Sequence, residues 1–419
     1  MPVRKVLVVG GGAAGMLAAL FAAENGAAVT LLERNEKLGK KVYITGKGRC
    51  NITNTAEREA FMQAIYRNPR FMYASFAAFD NQDMIRLMEN LGVPVKVERG
   101  NRVFPESDHA SDVTNALRRE MERRGVRIEY NTRAAGLMLD ANICRGVITE
   151  SGDKIIADAV ILCTGGCSYP STGSTGDGYA LAKSAGHTVQ PLLPALVPID
   201  TKESWPSMLA GLSLKNVALR AWRADQKKKK YFYDEQGEMM FTHTGVTGPL
   251  VLTLSSKMPA DIENVRMAID LKPALDMQTL DARILRDFQA MIQKRITAVM
   301  DGLVPHNLGQ QILVLAGVSP QQPVNAVTQK QRQAIAELLK HLPLTPKALR
   351  GFSEAIVTRG GVTVREINPS TLESKIARGL YFAGEIMDVD AQTGGYNLQI
   401  AFSSGALAGK CAALGEDEA

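Results

Sequence analysis

Gly10, Gly12 and Gly15 stand in the spacing G-x-G-x-x-G, between the apolar run VRKVLVV and the run MLAALFAAENG. The first run reads as a buried strand and the second as a helix. In that setting the first glycine makes a tight turn, the second lets a pyrophosphate approach the backbone, and the third lets helix and strand pack closely. Ala14 lies in the same loop, and the helix N-terminus offers N–H groups and partial positive charge to phosphates. Glu33 ends the next strand, AVTLLE, where a carboxylate accepts both ribose hydroxyls, and Arg34 follows it. A tight βα turn without ligand needs the glycines but not the acid in register. The whole pattern therefore points to a dinucleotide.

Two distant segments choose between NAD and FAD. YFAGE (381–385) reads as a buried strand running into Gly384 and Glu385, an acid placed for ribitol. A helix opening at Asn397 can aim N–H groups at a flavin carbonyl. CTGG (163–166) ends a strand in a turn at Thr164 and Gly165, which returns the chain to the cofactor. Both features are superfluous for NAD and expected for FAD. Residues 190–350 carry no second strand–GxGxxG–helix and the chain has no C-x-x-C. NAD(P)H as reductant would therefore visit the flavin only transiently.

These residues need a βαβ opening, a β-meander over residues 136–166, and a return of the β and Gly-rich pattern from about residue 352. The simplest account is an α/β fold in which both chain ends build one dinucleotide domain, expected over 1–190 and 351–419. A β-rich insert (191–275) and a helical insert (276–350) interrupt it. The proline-dense segment QPLLPALVPID reads as the crossing between domains.

The chain has 419 residues, 22% charged and 45% hydrophobic, which excludes collagen-like, coiled-coil and disordered classes. No apolar run approaches a membrane span, and Gly10 to Gly12 break the only signal-like stretch, so a cytoplasmic location is expected. Five cysteines and five histidines show neither a disulfide framework nor zinc spacing, and no metal is expected. The net charge is +6, and residues 215–230 carry seven cations against Asp225 alone. Lys227, Lys228, Lys229 and Lys230 run directly into Tyr231, Phe232 and Tyr233. Further basic clusters lie at 34–49, 118–127 and 330–359. They read either as solvated surface or as contacts for a polyanion.

GKGRCNITN (46–54), GGCSYPSTGSTGDGYALAKSAGH (165–187), FTHTGVTGP (241–249), VTRGGVTVREI (357–367) and GLYFAGEIMDVDAQTGGYNLQIAFSSG (379–405) together resemble the YhiN/BaiN family of bacterial flavoproteins. The resemblance implies a glutathione-reductase-like FAD-binding Rossmann domain interrupted by a β-barrel and a helical subdomain. It implies reduction of an activated C=C bond: uridine to dihydrouridine in 23S ribosomal RNA for YhiN-like proteins, steroid enones for BaiN-like ones. Carried onto this chain, it places Gly12, Ala14, Gly15 and Glu33 on the ADP half and the Ala134 backbone at adenine. It places Lys41, Arg49, Cys50 and Asn51 along pyrophosphate and flavin, and Gly384, Glu385, Asp388, Asn397 and Leu398 around ribitol and the isoalloxazine edge.

Such a reduction needs a proton donor beside the hydride. His243, in a Gly-rich turn of the β insert that would cap the flavin, is the first candidate. Cys50 is the second, and Arg359 could orient an anion or carbonyl. Each has a purely structural alternative: a turn-bonding histidine, a buried cysteine, a surface arginine. The expected partner is ribosomal RNA, met by the basic patches. A small-molecule enone or enoyl reductase and a non-catalytic flavin-bearing RNA-binding or assembly factor are the competing readings.

Overall fold

A computed structural model describes residues 3–259 and 261–415. The chain forms two compact units, Met1–Ala195 with Phe352–Ala419, and Leu196–Gly351.

The first unit is α/β. Its five-stranded parallel sheet has the order Leu380–Phe382, Ala159–Leu162, Lys5–Val9, Ala28–Leu32, Arg127–Glu129. Ala159–Leu162 is buried throughout, as is Lys5–Val9 after its first residue, which suits their continuous aliphatic sequence. Val9 is level with both Leu32 and Leu162, and Leu162 with Phe382. Four strands thus end together. Gly10, Glu33, Cys163 and Ala383 leave the sheet at one edge, where ligands of open α/β sheets bind.

The Ala13–Glu24 helix packs on the Tyr396–Leu414 helix with almost no space between the backbones. A Cβ at Gly405 would stand 2.2 Å from the Ala14 oxygen, and one at Gly409 would stand 2.2 Å from the Ala18 oxygen. Glycine in a helix interior costs about 1 kcal/mol relative to alanine, so these two positions are set by the contact. Gly405→Ala is expected to destabilise the protein by about 2 kcal/mol or more despite its better helix propensity. Denaturant unfolding measures this; a variant as stable as the parent would show that the helices can separate freely.

The meander is present as Ala134–Asp140, Ile143–Thr149 and Lys154–Ile156. One local expectation is extended. The proline-dense segment is not only a crossing, because Val189–Ala195 is a strand paired with Val357–Val362. The register slips between Gln190 and Leu193, so Pro191 falls where the ladder is already broken. Gly360 and Gly361 lie inside that paired strand; a Cβ at Gly360 would meet the Pro191 oxygen at 2.1 Å.

The second unit holds a seven-stranded antiparallel sheet, ordered Leu342–Leu344, Val265–Asp270, Ser213–Arg223, Tyr231–Phe241, Gly245–Thr247, Ile199–Thr201, Pro346–Leu349. Its two outermost strands are separated in the chain by Thr345 alone. The sheet must therefore curl until its edges meet, which makes it a barrel. The helices Met277–Ala290, Ile296–Asp301, His306–Leu315 and Gln329–Lys340 share its separate core. Asp276 and Thr328 cap the first and last of them.

Charge is distributed differently from the expectation of four open basic patches. Arg34, Lys40, Lys41 and Arg49 pair with Asp177, Glu36, Glu385 and Glu98. Arg118, Arg123, Arg124 and Arg127 pair with glutamates of their own region. Arg332, Lys340 and Arg350 pair with Asp281, Asp270 and Asp200. Within 215–230, Arg220 meets Asp234 and Asp270, and Arg223 meets Asp225 and Asp261. Lys227, Lys228, Lys229 and Lys230 are exposed. Tyr233 is buried with its hydroxyl donating to the Leu250 oxygen at 2.9 Å, and Phe232 packs on the core of the second unit. Tyr231 alone of the three stays beside the lysines.

Candidate cofactor and active site

The glycine loop is held by backbone contact. Gly10 has φ +102°, and a Cβ there would lie 2.6 Å from the Cys163 oxygen; one at Gly15 would lie 1.8 Å from the Gly10 oxygen. Gly12 differs: a Cβ there would meet no protein atom within 4 Å. Packing does not require that glycine, and the open space over it at the start of the Ala13–Glu24 helix fits a pyrophosphate. Glu33, 6% exposed, is fixed beside the loop. It accepts from the Gly11 N–H (2.9 Å), the Asn35 N–H (2.8 Å) and the Asn35 side-chain amide (2.7 Å). Burial pushes its carboxyl up, against the pull of these donors. Arg34 is turned toward the Gly-rich loop that precedes the Asp177–Ser184 helix, bonding Thr175 at 2.7 Å and Asp177 at 2.8 Å. Ala134 is buried at the start of the meander, and the N–H of nearby Thr132 donates to the Glu33 carbonyl at 2.9 Å.

A second network gathers at the same sheet edge. Gly384, at φ +77°, is bonded through its N–H to Ser404 Oγ at 2.9 Å. Glu385 follows it. Its Oε2 accepts from Lys41 Nζ at 2.6 Å, and its Oε1 from Ser168 Oγ and the Thr358 N–H, each at 2.7 Å. Lys41 also reaches Ser168 at 2.5 Å. Burial acts to raise the Glu385 carboxyl, but the Lys41 ammonium and the three hydrogen bonds outweigh it and hold the group below the usual range. Gly165 lies against this network, 3.8 Å from Glu385 Oε2 to its would-be Cβ. The buried hydroxyl of Thr164 has no hydrogen-bond partner. It is enclosed under the Asp177–Ser184 helix, where a Cβ at Gly178 would stand 1.8 Å from it.

The remaining expected residues divide. Asn397 clasps Ala391, accepting its N–H and donating to its carbonyl, each at 2.9 Å. Leu398 packs on the core of the first unit. Asn51, with its amide oriented to satisfy both ends, accepts from the Gly395 N–H at 3.0 Å and donates to the Thr53 carbonyl at 3.1 Å. It thus anchors the start of the Tyr396–Leu414 helix. Arg49 binds Glu98 at 2.7 Å and lies over the Phe104 ring. Cys50 is 0% exposed in the apolar core, and burial pushes its thiol up to about 12. So enclosed a thiol is a poor proton donor to a substrate, and the environment is that of a structural cysteine. His243 is exposed in the short bend between Tyr231–Phe241 and Gly245–Thr247 of the second unit.

Arg359 is half-buried and not a surface side chain. It shares a region with Asp388, Asp390 and Arg67, whose Nε lies 3.5 Å from a carboxylate oxygen of each aspartate. Arg67, Asp390, Ser168, Asn35 and Thr358 were absent from the residues singled out in the sequence. The D-x-D spacing of 388 and 390 was the available sign for one of them. The others are recruited by tertiary contact. Among the described residues, no group of three or more His, Cys, Asp or Glu is arranged to hold a metal, and no helix is long and apolar enough to cross a membrane.

Residues 4–411 match the family described as HI0933-like protein Rossmann domain. The chain belongs to the HI0933-like family. Among curated HI0933-like relatives, a 3-dehydro-bile acid delta(4,6)-reductase of Clostridium scindens is 34% identical, covering 98% of this chain and 99% of the relative. A ribosomal RNA dihydrouridine synthase of Haemophilus influenzae is 29% identical, covering 95% of this chain and 96% of the relative. Among solved structures, a quinol-fumarate reductase is similar in fold, with TM-score 0.50 and 15% identity, covering 98% of this chain and 71% of that one. The membership expected from the motifs therefore holds. This HI0933-like chain is an oxidoreductase, which sets aside the non-catalytic reading.

Proposed function

We propose that this protein is an FAD-dependent reductase of an activated C=C bond, acting on a uridine of 23S ribosomal RNA with NAD(P)H as electron source. The observation that carries the FAD reading is the shared sheet edge. The open Gly12 cradle, the Glu33 carboxylate and the Lys41–Ser168–Glu385 network all gather there. Gly10–Gly15 and Glu33 would hold the ADP half, and Glu385, Asp388 and the start of the Tyr396–Leu414 helix the ribityl and ring. Bound FAD supplies hydride chemistry. The chain's own contribution is to orient the cofactor and keep its polar groups bonded in a low-dielectric site.

Two features support RNA as substrate: the dihydrouridine synthase relatives and one exposed hairpin. Lys229 Nζ stands 3.9 Å from the centre of the Trp222 ring and 5.3 Å from that of Tyr231, and Trp222 and Tyr231 meet edge-on. Lysines interleaved with half-exposed aromatics suit an unpaired strand, whose bases stack and whose phosphates are neutralised. The target uridine would have to be unpaired or flipped to react. A second reading, reduction of a steroid-like enone, is favoured by the 34% identity to the bile acid reductase.

Ribosomal RNA from cells lacking the gene decides between them. Mass spectrometry is expected to find one large-subunit uridine without its two added hydrogens. If every dihydrouridine persists, the RNA reading fails and the enone reading takes its place.

A further inference from the structure

Asp390 is 1% exposed, and neither carboxylate oxygen has a hydrogen-bond donor. Buried structural carboxylates are held by donors, as Glu385 is. The chain around Asp390 is nevertheless firmly placed. Its carbonyl accepts from the Tyr66 N–H at 2.9 Å, and the next residue is clasped by Asn397. The side chain is therefore kept enclosed and unsatisfied by a well-tied backbone.

Charged groups face it from three sides. Arg67, from the segment after the Arg58–Gln63 helix, lies 3.5 Å from Asp390 and equally far from Asp388. Arg359 comes from the Val357–Val362 strand, and Glu385 with its Lys41 partner from the turn after the Leu380–Phe382 strand. Asn68 occupies Asp388, donating to its carbonyl at 2.7 Å, and Tyr179 of the Asp177–Ser184 helix feels both Asp388 and Glu385. Burial is the largest influence and pushes the Asp390 carboxyl up to about 6, with the two arginines opposing it and the two acids adding to it. A group so placed changes protonation when one more negative charge arrives nearby.

We propose that Asp390 is the proton-coupling group of the flavin site: its carboxylate takes up a proton as the flavin accepts an electron pair, and gives it up when the pair leaves. This rests on the FAD reading above. The nicotinamide donor delivers the pair as hydride, which brings one proton with it. Asp390 draws a second proton from water, so the new charge is compensated inside the low-dielectric site. When hydride passes to the substrate carbon, Asp390 returns its proton to water. The proton on the neighbouring carbon comes from another donor, and Asp390 ends each cycle as it began. It acts through the field at the cofactor and is a positioning residue, not a catalytic one.

The test is the pH dependence of the flavin midpoint potential in FAD-loaded protein, titrated with dithionite above about pH 6. The wild type is expected to take up close to one more proton per electron pair than Asp390→Asn. A reduced-minus-oxidised infrared spectrum of the wild type should also gain a protonated-carboxyl stretch, and Asp390→Asn should lack it. Equal proton counts in the two proteins, or no carboxyl band in the wild type, overturns the proposal. If Asp390→Asn does not hold flavin, the wild-type infrared result decides alone. Wild-type protein that binds no FAD ends the FAD reading first, and this proposal with it, before any potential is measured.

Discussion

Glu385→Ala protein is expected to bind FAD at least about a hundredfold more weakly than the parent and to be less stable by about 3 kcal/mol. The substitution removes the acceptor of the Lys41 ammonium, the Ser168 hydroxyl and the Thr358 N–H together. Lys41 is 23% exposed, so water reaches it only in part and cannot replace the carboxylate. The loss falls on the strand end, on the Gly-rich segment carrying Ser168 and on the strand carrying Thr358. Glu385→Gln should fall between, since it keeps the shape and an acceptor for Ser168 but not the charge. The pH dependence has a definite sign. Glu385 is held below its ordinary range, so its contribution is complete above that range and fades as pH falls through it. FAD titration by fluorescence quenching, run with denaturant unfolding, measures both effects. An unchanged dissociation constant would place the flavin elsewhere.

Changing Lys227, Lys228, Lys229 and Lys230 together to serine is expected to lower the salt dependence of single-strand RNA binding by about three in the log–log slope. The estimate takes about 0.7 per phosphate for a single strand. Between about 50 and 200 mM salt, this is about a fiftyfold difference in how far affinity falls. Oligouridine is the probe, and the wild type is measured alongside. The substituted residues are exposed and lie at a hairpin tip, so folding should be unaffected. A variant whose slope matches the parent removes the hairpin from the RNA reading and leaves that reading without a surface.

The cofactor half of the site was legible because it depends on backbone geometry, which sequence encodes locally. Gly10 and Gly15 are fixed by contacts a Cβ would violate, and Glu33 is held by Gly11 of the same loop. Long-range placement was less legible. Nothing in the local pattern says that Ser168 and Thr358 converge on Glu385, or that Arg67 reaches Asp388 and Asp390. The charge runs misled for a related reason. A run of basic residues shows charge but not the acids that fold against it, and Arg220 and Arg223 find theirs on neighbouring strands and turns. The proline-dense segment does hold the crossing, between Ala195 and Leu196, but the strand before it was not legible, because a two-stranded pairing tolerates Pro191 where its register slips.

The split of the first unit has a consequence for synthesis. Its parallel sheet lacks the Leu380–Phe382 strand, and the Ala13–Glu24 helix lacks its Tyr396–Leu414 neighbour, until the ribosome has made all of the second unit. At about 5–20 residues per second that delay is on the order of ten seconds or more. Throughout it, Ala14 and Ala18, buried in the finished protein with their backbones against Gly405 and Gly409, have no covering helix. The second unit, whose barrel strands and helices are contiguous in the chain, can fold in the meantime. Nascent chains stalled before residue 380 should therefore recruit chaperones through their earliest-made segment, and released full-length chains should not.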